Sequence, residues 1–167
     1  MATVFSCRTF SVDVGLHRYP DGRDVEVALV QHAPAVVLIP LTDTGALILV
    51  RQYRPSVRRA LWELPAGGVG PNESPDAAAI RECAEEARYL PGKVEHLCSL
   101  HPAPGFCNEL LLFYRLTELR PVAHDADYAR DDDESMDVHV VSLAEARAMV
   151  ARGDIIDLKT AYALTLI

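Results

Sequence analysis

The chain has 167 residues, half of them hydrophobic, which is enough for one domain with a sizeable core. Its net charge of −8 at pH 7 argues against a nucleic-acid or anionic-membrane surface, since either needs a basic face. A phosphate-bearing small molecule stays open, because a metal ion can mediate that contact.

No apolar run reaches membrane-spanning length. The start, MATVFSCRTFSVDV, lacks the basic-then-apolar order of a signal peptide, so the expected compartment is the cytoplasm. Cys7, Cys83, Cys98 and Cys107 show no CxxC spacing and no Cys/His cluster, and read as reduced, mostly packed thiols. No residue triplet reads as a nucleophilic Ser or Cys triad.

In chain order, TFSVDVGLH alternates, with Phe10, Val12, Val14 and Leu16 on one face. YPDGR supplies a turn, and VEVAL alternates again at Val25, Val27 and Leu29. This predicts a hairpin too small to stand alone, which must pack on the core or on another subunit. AVVLIPL is a continuous apolar run, expected as a buried strand, and TDTG turns it into its partner ALILVRQY. RPSVRRALWELPAGGVGPNESP reads as one long Pro- and Gly-rich connection, a class that is often functional.

Ser74 is a good N-cap, Pro75 suits the first helical position, and Asp76 favours the positive end of the helix dipole. The helix is expected to run to Tyr89 or Leu90, where Pro91-Gly92 stops it. Strands follow at VEHLCSL and ELLLFYRLTEL, separated by HPAPGFCN. The acidic stretch HDADYARDDDES leads into a strand at MDVHVV. Ser142 and Glu145 form a capping box for a helix ending at Gly153, and Asp157 can cap a last helix. The order predicts a mixed α/β domain with a mostly antiparallel or mixed sheet. The strand–helix alternation of a doubly wound fold is missing, as is GxGxxG.

Glu82, Glu85 and Glu86 share one face of the predicted helix, and Arg81 stands four residues before Glu85. A solvated acidic face is the bland alternative. Against it, like charges at i, i+4 destabilise a helix, and these lie near the negative end of its dipole. A divalent cation is the simplest offset, and hard oxygen ligands suit Mg²⁺ or Mn²⁺.

The stretch from Gly67 through Glu73, Arg81 and Glu82 to Glu85 and Glu86 resembles the Nudix box, Gly-x5-Glu-x7-Arg-Glu-U-x-Glu-Glu-x-Gly-U, at all six of those fixed positions. Arg88 replaces its last Gly, and Tyr89 takes the apolar place. The missing Gly could cap the helix in the left-handed region, where Arg fits less well; the preferred account has the helix continue to Leu90.

LVRQYRP, WELPAGG, PAPGFCNE with Pro104, and GDIIDLKTAYAL extend the resemblance to the ADP-ribose pyrophosphatase branch over nearly the whole chain. The resemblance implies the Nudix fold, a mixed α/β sheet sandwiched between helices, over residues 35–167. It also implies an N-terminal antiparallel hairpin over residues 1–34 as a dimerisation element, and so a homodimer.

The implied reaction is metal-dependent hydrolysis of ADP-ribose to AMP and ribose 5-phosphate. A UDP- or GDP-sugar is the alternative substrate, and a non-catalytic ligand sensor the remote one. By resemblance, Glu82 and Glu86, then Glu85 and the Ala66 carbonyl, hold the metal, while Gly67, Glu73 and Arg81 shape and orient them. The catalytic candidates are Glu134, then Asp132, as general base on RDDDESMDV, with Glu85 beside them. Arg54, with Arg51 second, is implied as the phosphate-binding arginine, and Phe106 and Glu109 as substrate contacts. An adenine-stacking aromatic from the hairpin could be Phe5, Phe10 or Tyr19. Trp62 reads as packing.

Overall fold

The computed structural model describes residues 1–123 and 136–167. The chain begins with a three-stranded antiparallel sheet of β1 (Ala2–Ser6), β2 (Phe10–Arg18) and β3 (Asp24–His32). Only its β2–β3 hairpin was legible. β1 is exposed along its whole length, so no burial pattern marks it. It is held by its ladder to β2 and by Thr3 Oγ1 donating to Asp13 Oδ1 at 2.7 Å. The sheet is tied to the body through β3, where Val30 N–H donates to the Phe106 carbonyl and His32 N–H to Asn108 Oδ1.

The body opens with β4 (Ala35–Pro40) and β5 (Leu47–Arg54), followed by β6 (Arg59–Glu63) and β7 (Ala66–Gly68). The stretch expected as one long connection therefore contains two strands. β6 pairs antiparallel with β5 (Arg51 opposite Trp62), and β7 pairs antiparallel with β4 (Val36 opposite Gly67). Backbone pairing rather than side-chain alternation makes both, so flanking prolines and glycines masked them.

Next come α1 (Pro75–Glu82), a π-helical turn at Cys83–Ala87, β8 (Tyr89–Leu90), β9 (Lys93–Leu100), β10 (Leu111–Thr117) and β11 (Arg120–Pro121). The chain closes with β12 (Met136–Val141), α2 (Leu143–Ala151) and α3 (Leu158–Ala163). One sheet runs β7-β4-β10-β9, with β4 and β10 parallel; a second, antiparallel sheet runs β12-β5-β6.

β4 is buried at every position, and its successive residues feed opposite cores. Val36 and Leu38 pack with Ala78, Ala79, Cys83 and Ala87 of the glutamate helix. Val37 and Ile39 pack with Ala146, Met149 and Ala163 of α2 and α3. The sheets are thus sandwiched between helices, as expected. Burial pushes the Cys83 thiol up to about 12, which fits an inert packing role. Among the described residues no helix is long and apolar enough to cross a membrane.

The expected helix end needs correction. Helical structure stops at Ala87, and Arg88 adopts the left-handed region at φ 66°, ψ 31°. That conformation costs a non-glycine residue about 1–2 kcal/mol. Tertiary pairing offsets the cost: Val122 N–H donates to the Arg88 carbonyl at 3.1 Å, and β8 pairs antiparallel with β11. Arg88 therefore caps the helix where the box has Gly, and Pro91-Gly92 plays no part in ending it.

Candidate active site

α1 starts where the sequence says it should. Ser74 Oγ accepts the Ala77 N–H, Pro75 occupies the first turn, and Asp76 accepts the Tyr114 hydroxyl at 2.8 Å. The helix lays its alanines on the core, which turns the glutamates toward β7. Glu82 and Glu86 are only 7% and 4% exposed, so the ridge is no solvated face.

Arg81 offsets much of that charge. Its Nη1 donates to Glu82 Oε1 at 2.6 Å and to Glu85 Oε2 at 2.9 Å. Its Nε and Nη2 grip Glu73 at 2.9 Å each, and Nη2 also reaches the Gly68 carbonyl at 3.0 Å. The bond to Glu73 is the chief reason the guanidinium is held above its ordinary range. In return Arg81 holds the Glu73 carboxyl below the ordinary glutamate range, helped by the Gly70 N–H. Glu86 is anchored separately, accepting the Ala66 N–H at 2.8 Å.

Gly67 faces this ridge closely. A Cβ added there would lie 2.0 Å from the Glu82 carboxyl carbon, so only glycine admits the buried carboxylate. Among the described residues no group of three or more His, Cys, Asp or Glu side chains is already assembled around a cation position. The donor chemistry nevertheless fits a hard divalent cation: carboxylate oxygens on one helix face, two of them buried, beside a strand residue, Gly67, with no side chain.

A cleft of about 540 Å³ adjoins the ridge at Ala66, Gly67 and Gly68. Arg54, Glu109, Lys159 and Tyr162 also line it. Arg54 donates through Nε and Nη2 to the two oxygens of Glu63 at 2.7 and 2.8 Å. Glu63 is 1% exposed and also accepts from Lys159 Nζ, which in turn reaches Asp157 Oδ1 at 3.1 Å. Burial works against the Glu63 charge, but the bonds from Arg54 and the charge of Lys159 prevail and hold its carboxyl below the ordinary range. The bonds Arg54 donates to Glu63, opposed by burial, hold its guanidinium above its ordinary range.

The structure brings most of the sequence-chosen residues together: Ala66, Gly67, Glu73, Arg81, Glu82, Glu85 and Glu86 at the ridge, and Arg54 and Glu109 in the cleft. It does not bring Arg51 there. Arg51 sits 5.6 Å from the centre of the Trp62 ring on the β5–β6 pair, away from the cleft lining. Phe106 is 58% exposed and lines a separate shallow groove with Val30 and Cys107. Asp132 and Glu134 lie outside the described residues. Sequence reading missed Glu63, Lys159 and the His32–Glu109 pair, 3.5 Å apart at the cleft wall. The available signal for Glu63 was an acidic residue inside LWELP, whose apolar neighbours imply burial and hence a cationic partner.

Known proteins match this chain over most of its length. The NUDIX domain model matches residues 31–161. The ADP-ribose pyrophosphatase of Bacillus subtilis (strain 168) is 31% identical over 161 residues, covering 96% of this chain and 86% of that protein. The methanol dehydrogenase activator of Bacillus methanolicus matches with the same identity and coverage. A GDP-mannose pyrophosphatase of Yersinia pestis (strain Pestoides F) is 33% identical over 132 residues, covering 75% of this chain and 66% of that one. A solved structure described as an ADP compounds hydrolase superposes with a TM-score of 0.84 at 23% identity, covering 99% of this chain and 88% of that one.

Proposed function

The chain belongs to the Nudix hydrolase family, and we propose that it hydrolyses the pyrophosphate bond of ADP-ribose, giving AMP and ribose 5-phosphate. One observation carries this reading: buried Glu82 packs against Gly67 and buried Glu86 against the Ala66 N–H, at the edge of a cleft that also holds Arg54. The likeness to an ADP-ribose pyrophosphatase over nearly the whole chain supports the choice of substrate. The likeness to a GDP-mannose pyrophosphatase keeps a GDP-sugar as the second reading.

Glu82, Glu85, Glu86 and the Ala66 carbonyl are the residues that would hold Mg²⁺ or Mn²⁺. Such an ion neutralises pyrophosphate oxygens and sharpens water as a nucleophile. The chain's own contribution is placement. Gly67 leaves room for Glu82, Arg81 and Glu73 fix the ridge, and the Ala66 N–H fixes Glu86. Arg54, whose Nε and Nη2 are engaged by Glu63, offers its Nη1 amino group to the substrate diphosphate. Glu134 is proposed as the general base, with Asp132 second. Residues 1–34 are proposed as the dimerisation element of a homodimer, supported by the exposed Phe5, Phe10 and Leu16 on the N-terminal sheet.

A substrate panel with Mg²⁺ tests the reading. ADP-ribose should give the highest kcat/KM, and equal or faster turnover of a UDP- or GDP-sugar would transfer the assignment to that substrate.

A further inference from the structure

At the cleft, Glu63 is shared by two cations. The Arg54 pair uses Nε and Nη2, so the Nη1 amino group takes no part in it. Lys159 Nζ contacts Glu63 and Asp157, and its side chain is 16% exposed. Both cations line the cleft, whereas Glu63, beneath them, does not.

A buried carboxylate with two cationic partners is a costly arrangement for stability alone, because an apolar core of the same volume commonly does as well. It does hold two positive groups at fixed spacing without a further loss of side-chain entropy on binding. The α3 N-terminus is equally fixed. Leu64 N–H donates to Thr160 Oγ1 at 2.8 Å, and that hydroxyl donates to Asp157 Oδ2 at 2.6 Å. Lys159 therefore stands on a rigid element joined to the strand end that carries Glu63.

We propose that Lys159 is a second substrate-binding cation, acting with Arg54 on one diphosphate in the cleft, and that Glu63 is the positioning residue presenting both. This rests on the reading of the cleft as a nucleoside diphosphate site and adds to it a residue pair from β6 and α3. Lys159 binds one non-bridging oxygen of the diphosphate as a point charge, and Arg54 binds another through its unused amino group.

The test uses the full-length protein with Lys159→Met, Lys159→Arg and Glu63→Gln. Inorganic pyrophosphate binding, measured by calorimetry without divalent metal, is the readout independent of turnover. Lys159→Met and Glu63→Gln should each weaken it about tenfold or more, the worth of one charge-assisted contact. Lys159→Arg should restore most of it. For ADP-ribose, KM should rise by a similar factor in Lys159→Met while kcat changes by less than about threefold, since a contact equal in ground and transition states moves KM.

Pyrophosphate affinity unchanged in Lys159→Met, or no binding by the wild type, overturns the proposal. So does a Lys159→Arg variant that is no better than Lys159→Met. A lowered Tm with unchanged affinity assigns the network to stability and also overturns it. If the wild type turns over no nucleoside diphosphate sugar, the functional reading fails by itself, and the pyrophosphate measurement still decides the role of Lys159.

Discussion

Glu86 accepts the backbone N–H of Ala66 at 2.8 Å, joining the far end of the glutamate helix to the start of β7. A carboxylate held there by one strong donor is placed rather than merely buried. Glu86→Gln keeps the size and can keep that bond through its carbonyl oxygen, but removes the charge. We expect kcat/KM to fall on the order of 10²-fold or more, with little loss of Tm. Calorimetric titration with Mg²⁺ should show weaker binding, and an active variant with unchanged Mg²⁺ affinity would refute the metal role.

Gly67→Ala is expected to be worse than its size suggests. The new methyl must displace either β7 or the Glu82 carboxylate. Overpacking of this kind costs about 1–3 kcal/mol. Displacing Glu82 should lower activity about 10²-fold. Thermal denaturation with Mg²⁺-dependent kinetics checks both, and wild-type activity in Gly67→Ala would sink the close-packing account.

Arg88 offers a stability test away from the chemistry. At φ 66° glycine is better suited than arginine, while a β-branched residue is worse. Gly also carries more freedom in the unfolded chain, so Arg88→Gly should gain at most about 1 kcal/mol. Arg88→Val should lose more than that gain. The order of Tm values, with Gly and Arg both above Val, is the prediction; Val matching Arg would contradict the assigned backbone conformation.

The Glu73–Arg81 pair predicts an acid limb in stability. The hydrogen bond from Arg81 depresses the folded Glu73 pKa below its unfolded value. The pair's contribution is therefore complete above the ordinary glutamate range and is lost as pH falls through the lower folded value. In chelator-containing buffer, denaturant unfolding of Glu73→Gln should show a flatter decline between about pH 5 and pH 3 than the wild type. Parallel curves would exclude the linkage.

The N-terminal sheet makes a prediction about assembly. Phe5 and Leu16 are 52% and 69% exposed. Introducing Phe5→Asp with Leu16→Asp should convert a homodimer to monomer by sedimentation velocity at micromolar concentration. A wild type that already sediments as a monomer would end the dimer proposal.

Features with a local physical cause were legible from the chain. Ser74-Pro75-Asp76 announces the start of α1, and the spacing of Glu82, Glu85 and Glu86 places them on one face. Features decided by partners distant in sequence were not. β6 and β7 exist because β5 and β4 pair with them, and no alternation of their own marks them. Arg88 ends the helix because residues 120–122 hold the chain beyond it, which the preference of arginine could not reveal. Glu63 and Lys159 stand 96 residues apart, and their pairing needs the whole fold. The positive charge that the ridge demands comes in part from Arg81, whose reach to both Glu82 and Glu85 depends on the folded helix.

β4 carries a further consequence. Every residue from Ala35 to Pro40 is buried and the stretch is apolar throughout, so sliding it by one position would exchange one greasy face for the other. Polarity therefore gives this strand no frame of reference. The pairing of Val36 with Gly67 does, since a side chain at position 67 would collide with the Glu82 carboxylate. A mispaired chain would be detected at the site before it was detected in the core, so selection for turnover also proofreads the alignment of the central strand.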